Sequence, residues 1–187
     1  MTRSAIAAPV SPANTSPDTL ANTTSTTTES GSSLPESLAK VVKKFARIDD
    51  PKRGYELLIW FAKKLPTFPD ADRLPANKVQ GCTSQVYITA ACAEGKMHFQ
   101  GDSDSQLVKG LVGLLVVGLN GLSAAEVLAL SPTFIQQTKL NVSLTPSRAN
   151  GFYNIFQMMK QKTLVIASQT MTETLTETLS PSEPETA

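Results

Sequence analysis

Leu38, Val41, Val42, Phe45 and Ile48 recur every three or four positions with polar residues between them, which predicts an amphipathic helix. Pro35 and Glu36 suit its first turn. Asp50-Pro51 opens a second helix, with Tyr55, Leu58, Ile59, Ala62 and Leu65 on one side, Lys63 and Lys64 outward, and a stop at Pro66. The prolines and aspartates from Pro66 to Asn77 predict a loop. The period then becomes two. Val86, Ile88, Ala90 and Cys92 alternate with Tyr87, Thr89 and Ala91, and Glu94-Gly95-Lys96 closes a hairpin onto Met97 to Gln100. Lys78 to Gln80 supply a third strand. Ser103 with Gln106 and Ser123 with Glu126 have capping-box spacing and open helices into Leu107 to Leu119 and Ala124 to Leu130. Ser131-Pro132 and Thr145-Pro146 start two more, the last burying Phe152, Ile155, Phe156 and Met159. The pattern predicts an α+β fold, a small antiparallel three-stranded sheet covered by helices.

Composition divides the 187 residues into three. Residues 1–33 are dominated by Ser, Thr, Ala, Asn and Pro, and residues 168–187 by Thr, Ser and Glu, so both are expected to be disordered tails around a single domain at 34–167. Removing the tails uncovers charge. Sixteen basic and 10 acidic residues lie between Leu34 and Ala167, a formal +6 inside a chain whose net charge is +1. That field favours acidic partners. The cations are scattered with no aromatic-interleaved basic motif, so an acidic protein is expected rather than nucleic acid. The longest apolar run, Gly110 to Leu119, has ten residues, about half of what a membrane span needs, and predicts a buried helix and no membrane partner. Two cysteines make no disulfide framework and no apolar signal segment opens the chain, which points to a reducing compartment. The Ser/Thr-rich, acid-poor start fits either a plastid transit peptide or a bacterial extension.

Cys82 carries the chemistry. In Val79-Gln80-Gly81-Cys82-Thr83-Ser84-Gln85-Val86, Gly81 permits a turn that a β-carbon would obstruct, and the hydroxyls of Thr83 and Ser84 and the turn amides are donors that favour a thiolate. An ordinary thiol has a pKa near about 8.5, so little thiolate exists at neutral pH without such help. By itself a Gly-Cys pair among small polar residues occurs in many loops.

Two further segments follow in order, Gly101-Asp102-Ser103-Asp104-Ser105-Gln106-Leu107-Val108-Lys109-Gly110-Leu111 and Leu144-Thr145-Pro146-Ser147-Arg148. With Val-Gln-Gly-Cys-Thr-Ser-Gln-Val-Tyr they resemble the SufE-type cysteine desulfuration proteins over roughly Leu34 to Ala167. The resemblance implies that Cys82 accepts persulfide sulfur from a cysteine desulfurase of the SufS type, that the chain stimulates this enzyme, and that the sulfur passes to an iron–sulfur scaffold complex. It also implies that Arg148 lies near Cys82, that Gly81, Thr83 and Ser84 support it, and that Asp102 and Asp104 adjoin the loop and contact the partner. Pyridoxal phosphate then belongs to the desulfurase, and this chain binds no cofactor of its own. The resemblance implies an acceptor and activator rather than a stand-alone enzyme, expected in the cytoplasm, or in the plastid stroma if the start of the chain is a transit peptide. Tyr87 departs from the family, where many members carry Trp.

Blander roles compete at each position. Cys92 shares the apolar face of its strand and reads as a packed small hydrophobe. Seven residues from Gln85 to Cys92 extend about 23 Å at about 3.3 Å each, beyond disulfide reach of Cys82. Asp102 and Asp104 read as helix-dipole partners rather than metal ligands, since His98 is the single histidine and the cysteines are distant. His98 reads as structural. Gly110, Gly113 and Gly118 read as close helix packing, because no Lys-Ser/Thr follows to make a phosphate loop. Two other classes of function stay open: a module that binds desulfurase or scaffold without taking sulfur, and a thiol-dependent peroxidase, which needs a base beside Cys82.

Overall fold

The structure, a computed structural model, describes residues 34–140 and 144–178. Residues 1–33, expected to form a disordered tail, lie outside that range. The helices begin where the caps require. Helix α1 (Glu36–Ala46) follows Pro35 and buries Leu38, Val41, Val42 and Phe45. Helix α2 (Pro51–Lys64) has Pro51 at its first position, and the Asp50 carboxylate accepts from the Lys52 amide at 2.9 Å. Its buried stripe is Gly54, Leu58, Phe61 and Ala62, rotated from the expected one: Phe61 is in the core, and Ile59 is exposed. The loop from Pro66 to Asn77 contains two 3₁₀ turns, Asp70–Asp72 and Pro75–Asn77.

Strands β1 (Val86–Ala93) and β2 (Lys96–Ser103) form one antiparallel hairpin, in register from Val86↔Ser103 to Ala93↔Lys96. Glu94 and Gly95 turn it with φ of 52° and 71°, the left-handed pair a two-residue hairpin favours. The sheet has two strands among the described residues, not three. Lys78 makes one isolated bridge, to Tyr87, and the Val79 amide donates to the Val86 carbonyl at 2.9 Å. The 3₁₀ turn before Lys78 and the left-handed turn after Gln80 leave no length for a ladder.

Helix α3 (Gln106–Leu119) lies against β2 and α2. Gly110 and Gly113 allow the approach, since a β-carbon on either would run into the backbone of Leu58 or Phe61. Its N-cap is Ser105 without a side-chain cap bond, so the capping box expected from Ser103 is not formed: β2 continues through Ser103 instead. Helix α4 (Ala124–Ala129) does carry its box, with Ser123 and Glu126 bonded reciprocally. A short α5 (Phe134–Gln137) leads towards α6 (Pro146–Thr178), which packs on β1. Phe134 meets Phe152 and Phe156 edge-to-face, and Phe45 stacks on Phe61, in a core that also takes in Leu111, Leu114 and Ile155. Helix α6 runs past Ala167 to Thr178, so the boundary expected at 167/168 falls inside a helix. No helix of the described residues is long and apolar enough to cross a membrane.

Candidate functional site

The loop bearing Cys82 is held at both shoulders. On one side is the Lys78↔Tyr87 bridge; on the other, the Asp104 carboxylate accepts from the Gln85 amide at 3.0 Å while the Asp104 amide donates to the Gln85 carbonyl at 3.2 Å. Between them Gly81 takes φ +73°, a conformation costly for a residue with a β-carbon, and such a carbon would also lie 2.8 Å from Nδ2 of Asn154. The turn directs Cys82 at α6. There the thiol, half-buried, donates to the Gly151 carbonyl at 3.7 Å.

Burial pushes the Cys82 thiol pKa up. The seat therefore disfavours the thiolate, contrary to the expectation of a turn that favours it. Thr83 is exposed and Ser84 half-buried, and neither hydroxyl is among the described partners of the sulfur. Its one hydrogen-bond partner among the described residues is an acceptor, which stabilises S–H and not S⁻.

Arg148, Gly151 and Asn154 are spaced three apart on α6, so they share a helix face. Gly151 and Asn154 meet the loop directly, and the half-buried Arg148 lies one turn before Gly151 with no described bond to the sulfur. The family resemblance points to Arg148, whereas the two residues that meet the loop, Gly151 and Asn154, are not singled out by the sequence. Farther along α6, Lys162 donates to Oδ1 of Asn77 at 2.8 Å and fixes the turn that precedes the loop.

Asp102 is not a helix cap. It lies buried in β2, its carboxylate bridging Arg73 at 2.6 Å and Lys109 at 2.7 Å, and the guanidinium of Arg73 lies over the rings of Phe68 and Tyr87. Burial opposes ionisation of Asp102, but the bonds from Lys109 and Arg73 outweigh it and hold the carboxyl below its usual range. Arg73 has no sequence signal, being a lone cation in a loop. Asp104 is the exposed member of the acidic pair. Among the described residues no three His, Cys, Asp or Glu side chains cluster as metal ligands would.

Cys92 departs from expectation. It lies on the same strand face as Val86 and Ile88, yet it is exposed, because burial fades along β1 towards the hairpin tip. His98 is exposed on β2.

The family model for SufE, an Fe-S metabolism associated domain, matches residues 39–163. This chain belongs to the SufE family. A SufE-like protein of Synechocystis sp., itself uncharacterized, is 60% identical over 131 residues, covering 70% of this chain and 82% of that protein. SufE-like protein 1, chloroplastic/mitochondrial, of Arabidopsis thaliana is 40% identical over 70% of this chain but only 36% of its own length. The sulfur acceptor protein CsdE of Escherichia coli is 37% identical over 57% of this chain and 74% of its own. The SufE-family fold is matched by the solution structure of a hypothetical protein from Thermus thermophilus, with a TM-score of 0.64 at 23% identity, over 73% of this chain and 99% of that one.

Proposed function

We propose that this SufE-family chain is a sulfur acceptor and carrier: Cys82 takes the terminal sulfur of a cysteine desulfurase persulfide, the chain stimulates that enzyme, and the sulfur passes on to an iron–sulfur scaffold. The observation that carries the reading is the seat of Cys82, a half-buried thiol on a left-handed glycine turn against the Gly151 carbonyl. A carrier must keep its sulfur within a partner's reach yet away from stray thiols and oxidants. A loop pinned at Tyr87 and Gln85 and seated on α6 suits both demands. The sulfur-acceptor name of the Escherichia coli relative supports the same role.

In the transfer, Cys82 gives up its proton and the thiolate attacks the terminal sulfur of the donor persulfide. A Cys82–sulfur bond forms as the donor's S–S bond breaks, and the donor cysteine leaves as a thiolate that takes up a proton. Sulfane sulfur moves without net oxidation. Breaking the carbon–sulfur bond of free cysteine is the work of pyridoxal phosphate in the desulfurase. Because burial disfavours the thiolate, the resting seat stores the thiol and attack takes place from a displaced loop, which a partner selects by binding that conformer more tightly. Two free cysteines support a reducing compartment, cytoplasm or plastid stroma, and the Arabidopsis thaliana relative carries a chloroplastic/mitochondrial name.

Desulfurase turnover tests the proposal. The wild-type chain should raise it, Cys92→Ser should match wild type, and Cys82→Ser should lose the effect. Full stimulation by Cys82→Ser would instead make the chain a binding module that takes no sulfur.

A further inference from the structure

A groove of about 520 Å³ between α1, α2 and α3 lies outside the cysteine loop, and none of its lining residues takes part in the site already described. Its floor and wall are Val41, Phe61, Trp60 and Val117. Trp60 and Val117 are 43% and 42% exposed, large apolar surfaces for positions so near the core. Cations surround them. The ammonium groups of Lys44 and Lys64 stand 5.0 Å and 4.9 Å from the Trp60 ring centroid, and Lys40, Lys43 and Arg47 line the same groove.

Lysines in the last turns of α1 and α2 have an ordinary role, since they complement the helix dipoles. That role accounts neither for the exposed indole between them nor for the apolar depression beside it. Of the groove's cations, Lys40 is in an ion pair, with Glu36 at 2.7 Å; Lys43, Lys44, Arg47 and Lys64 have none among the described residues. Several cations thus stand around one apolar groove with no carboxylate partner among the described residues.

We infer that this groove is a docking surface for an acidic peptide segment of another protein, its apolar residue against Trp60 and Val117 and its flanking carboxylates on Lys43, Lys44 and Arg47. Charge complementarity selects this occupant. The span from Leu34 to Ala167 carries a formal +6, and here its cations converge on an aromatic anchor of the kind that dominates binding energy at interfaces. Single-stranded nucleic acid fits less well, for it needs aromatic rings in series to stack successive bases, and here one ring is exposed. An anionic bilayer meets a convex face, whereas this one is hollowed to take a side chain. The inference does not depend on the chemistry of Cys82.

Trp60 is the single tryptophan of the chain, so its emission reports on the groove alone. The full chain would be titrated with a short peptide of alternating Glu and Leu, a polyglutamate peptide of equal length, an oligothymidine, and phosphatidylserine vesicles. The Glu/Leu peptide should shift the emission saturably, bind about tenfold tighter than polyglutamate, and weaken as salt rises. Lys44→Glu with Arg47→Glu should lower its affinity about tenfold or more at an unchanged melting temperature. Val117→Asp, on a different helix, should do the same and serves if the double variant does not fold. Cys82→Ser should bind like wild type. No emission shift with the Glu/Leu peptide, retained affinity in the variants, or tighter binding of oligothymidine or vesicles would each overturn the inference.

Discussion

The loop that leads into strand β1 and the far end of that strand carry one cysteine each and differ in almost everything else. At the Cys82 end the chain is tied on every side, by the Lys78 bridge, the Asp104–Gln85 bonds, the Arg73–Asp102–Lys109 ion cluster and the face of α6. At the Cys92 end a two-residue turn projects beyond the core, and Cys92 is exposed. On the proposed function, exposure does not mark the sulfur-carrying thiol. The half-buried cysteine is the one for which the fold has built surroundings, and burial there disfavours its thiolate.

The ion cluster beside Tyr87 gives the largest expected difference between the two ends. Asp102→Asn leaves Arg73 and Lys109 facing a neutral amide and should cost about 1–3 kcal/mol, measured by denaturant unfolding, the partial exposure of both cations keeping it below a fully buried pair. Cys92→Ser should stay within about 0.5 kcal/mol. The folded Asp102 carboxyl titrates below its unfolded range, so its contribution is complete above that range and is lost as pH falls through the folded value. Asp102→Asn should lack this part of the acid dependence.

Alkylation of the free chain comes next. At neutral pH Cys92 should label about tenfold faster than Cys82, and denaturation should remove the difference. Since burial raises the Cys82 pKa, its rate should climb at higher pH than that of an unfolded-chain thiol. Equal folded rates would abolish the distinction between the ends.

A smaller, several-fold effect is expected from the partner. In a Cys92→Ser background, a catalytically inactive desulfurase should speed labelling of Cys82 by favouring the displaced loop. Gly151→Leu, which sets a branched side chain where the thiol sits, should raise the same rate without any partner. A partner that only slows labelling would rule out gating of the loop.

Local periodicity revealed the helices well, and the reasons for its failures are physical. Leu38, Val41, Val42 and Phe45 lie inside α1 as their spacing predicts, and the Ser123–Glu126 box forms. Ser103 has equally good box spacing, but the hairpin register reaches it first, and a strand ladder outweighs a local cap. The strand assigned to Lys78–Gln80 fails because turns on both sides leave room for one bridge. Helix α6 outruns its expected end because no Pro or Gly interrupts the chain between Ala167 and Pro181, where composition alone had suggested a tail.

The site was legible at its centre and not at its walls. The Gly81-Cys82 turn and the ordered motifs single out the residue that the proposed function makes the sulfur carrier. Gly151, Asn154 and Arg73 become visible only when α6 and the Pro66–Asn77 loop are folded onto it, since no short-range pattern ties Cys82 to Gly151, 69 positions on, or Arg73 to Asp102, 29 positions on. The pKa direction of Cys82 could not be read from Thr83 and Ser84, because burial and an acceptor carbonyl contributed by α6 decide it.

Peptide mapping by mass spectrometry, after incubation of the full chain with cysteine and a cysteine desulfurase, tests the central claim most directly. The account predicts one added sulfur, on the peptide that contains Cys82, and an unmodified Cys92. Sulfur found on Cys92, or on neither cysteine while desulfurase turnover is still stimulated, would contradict it.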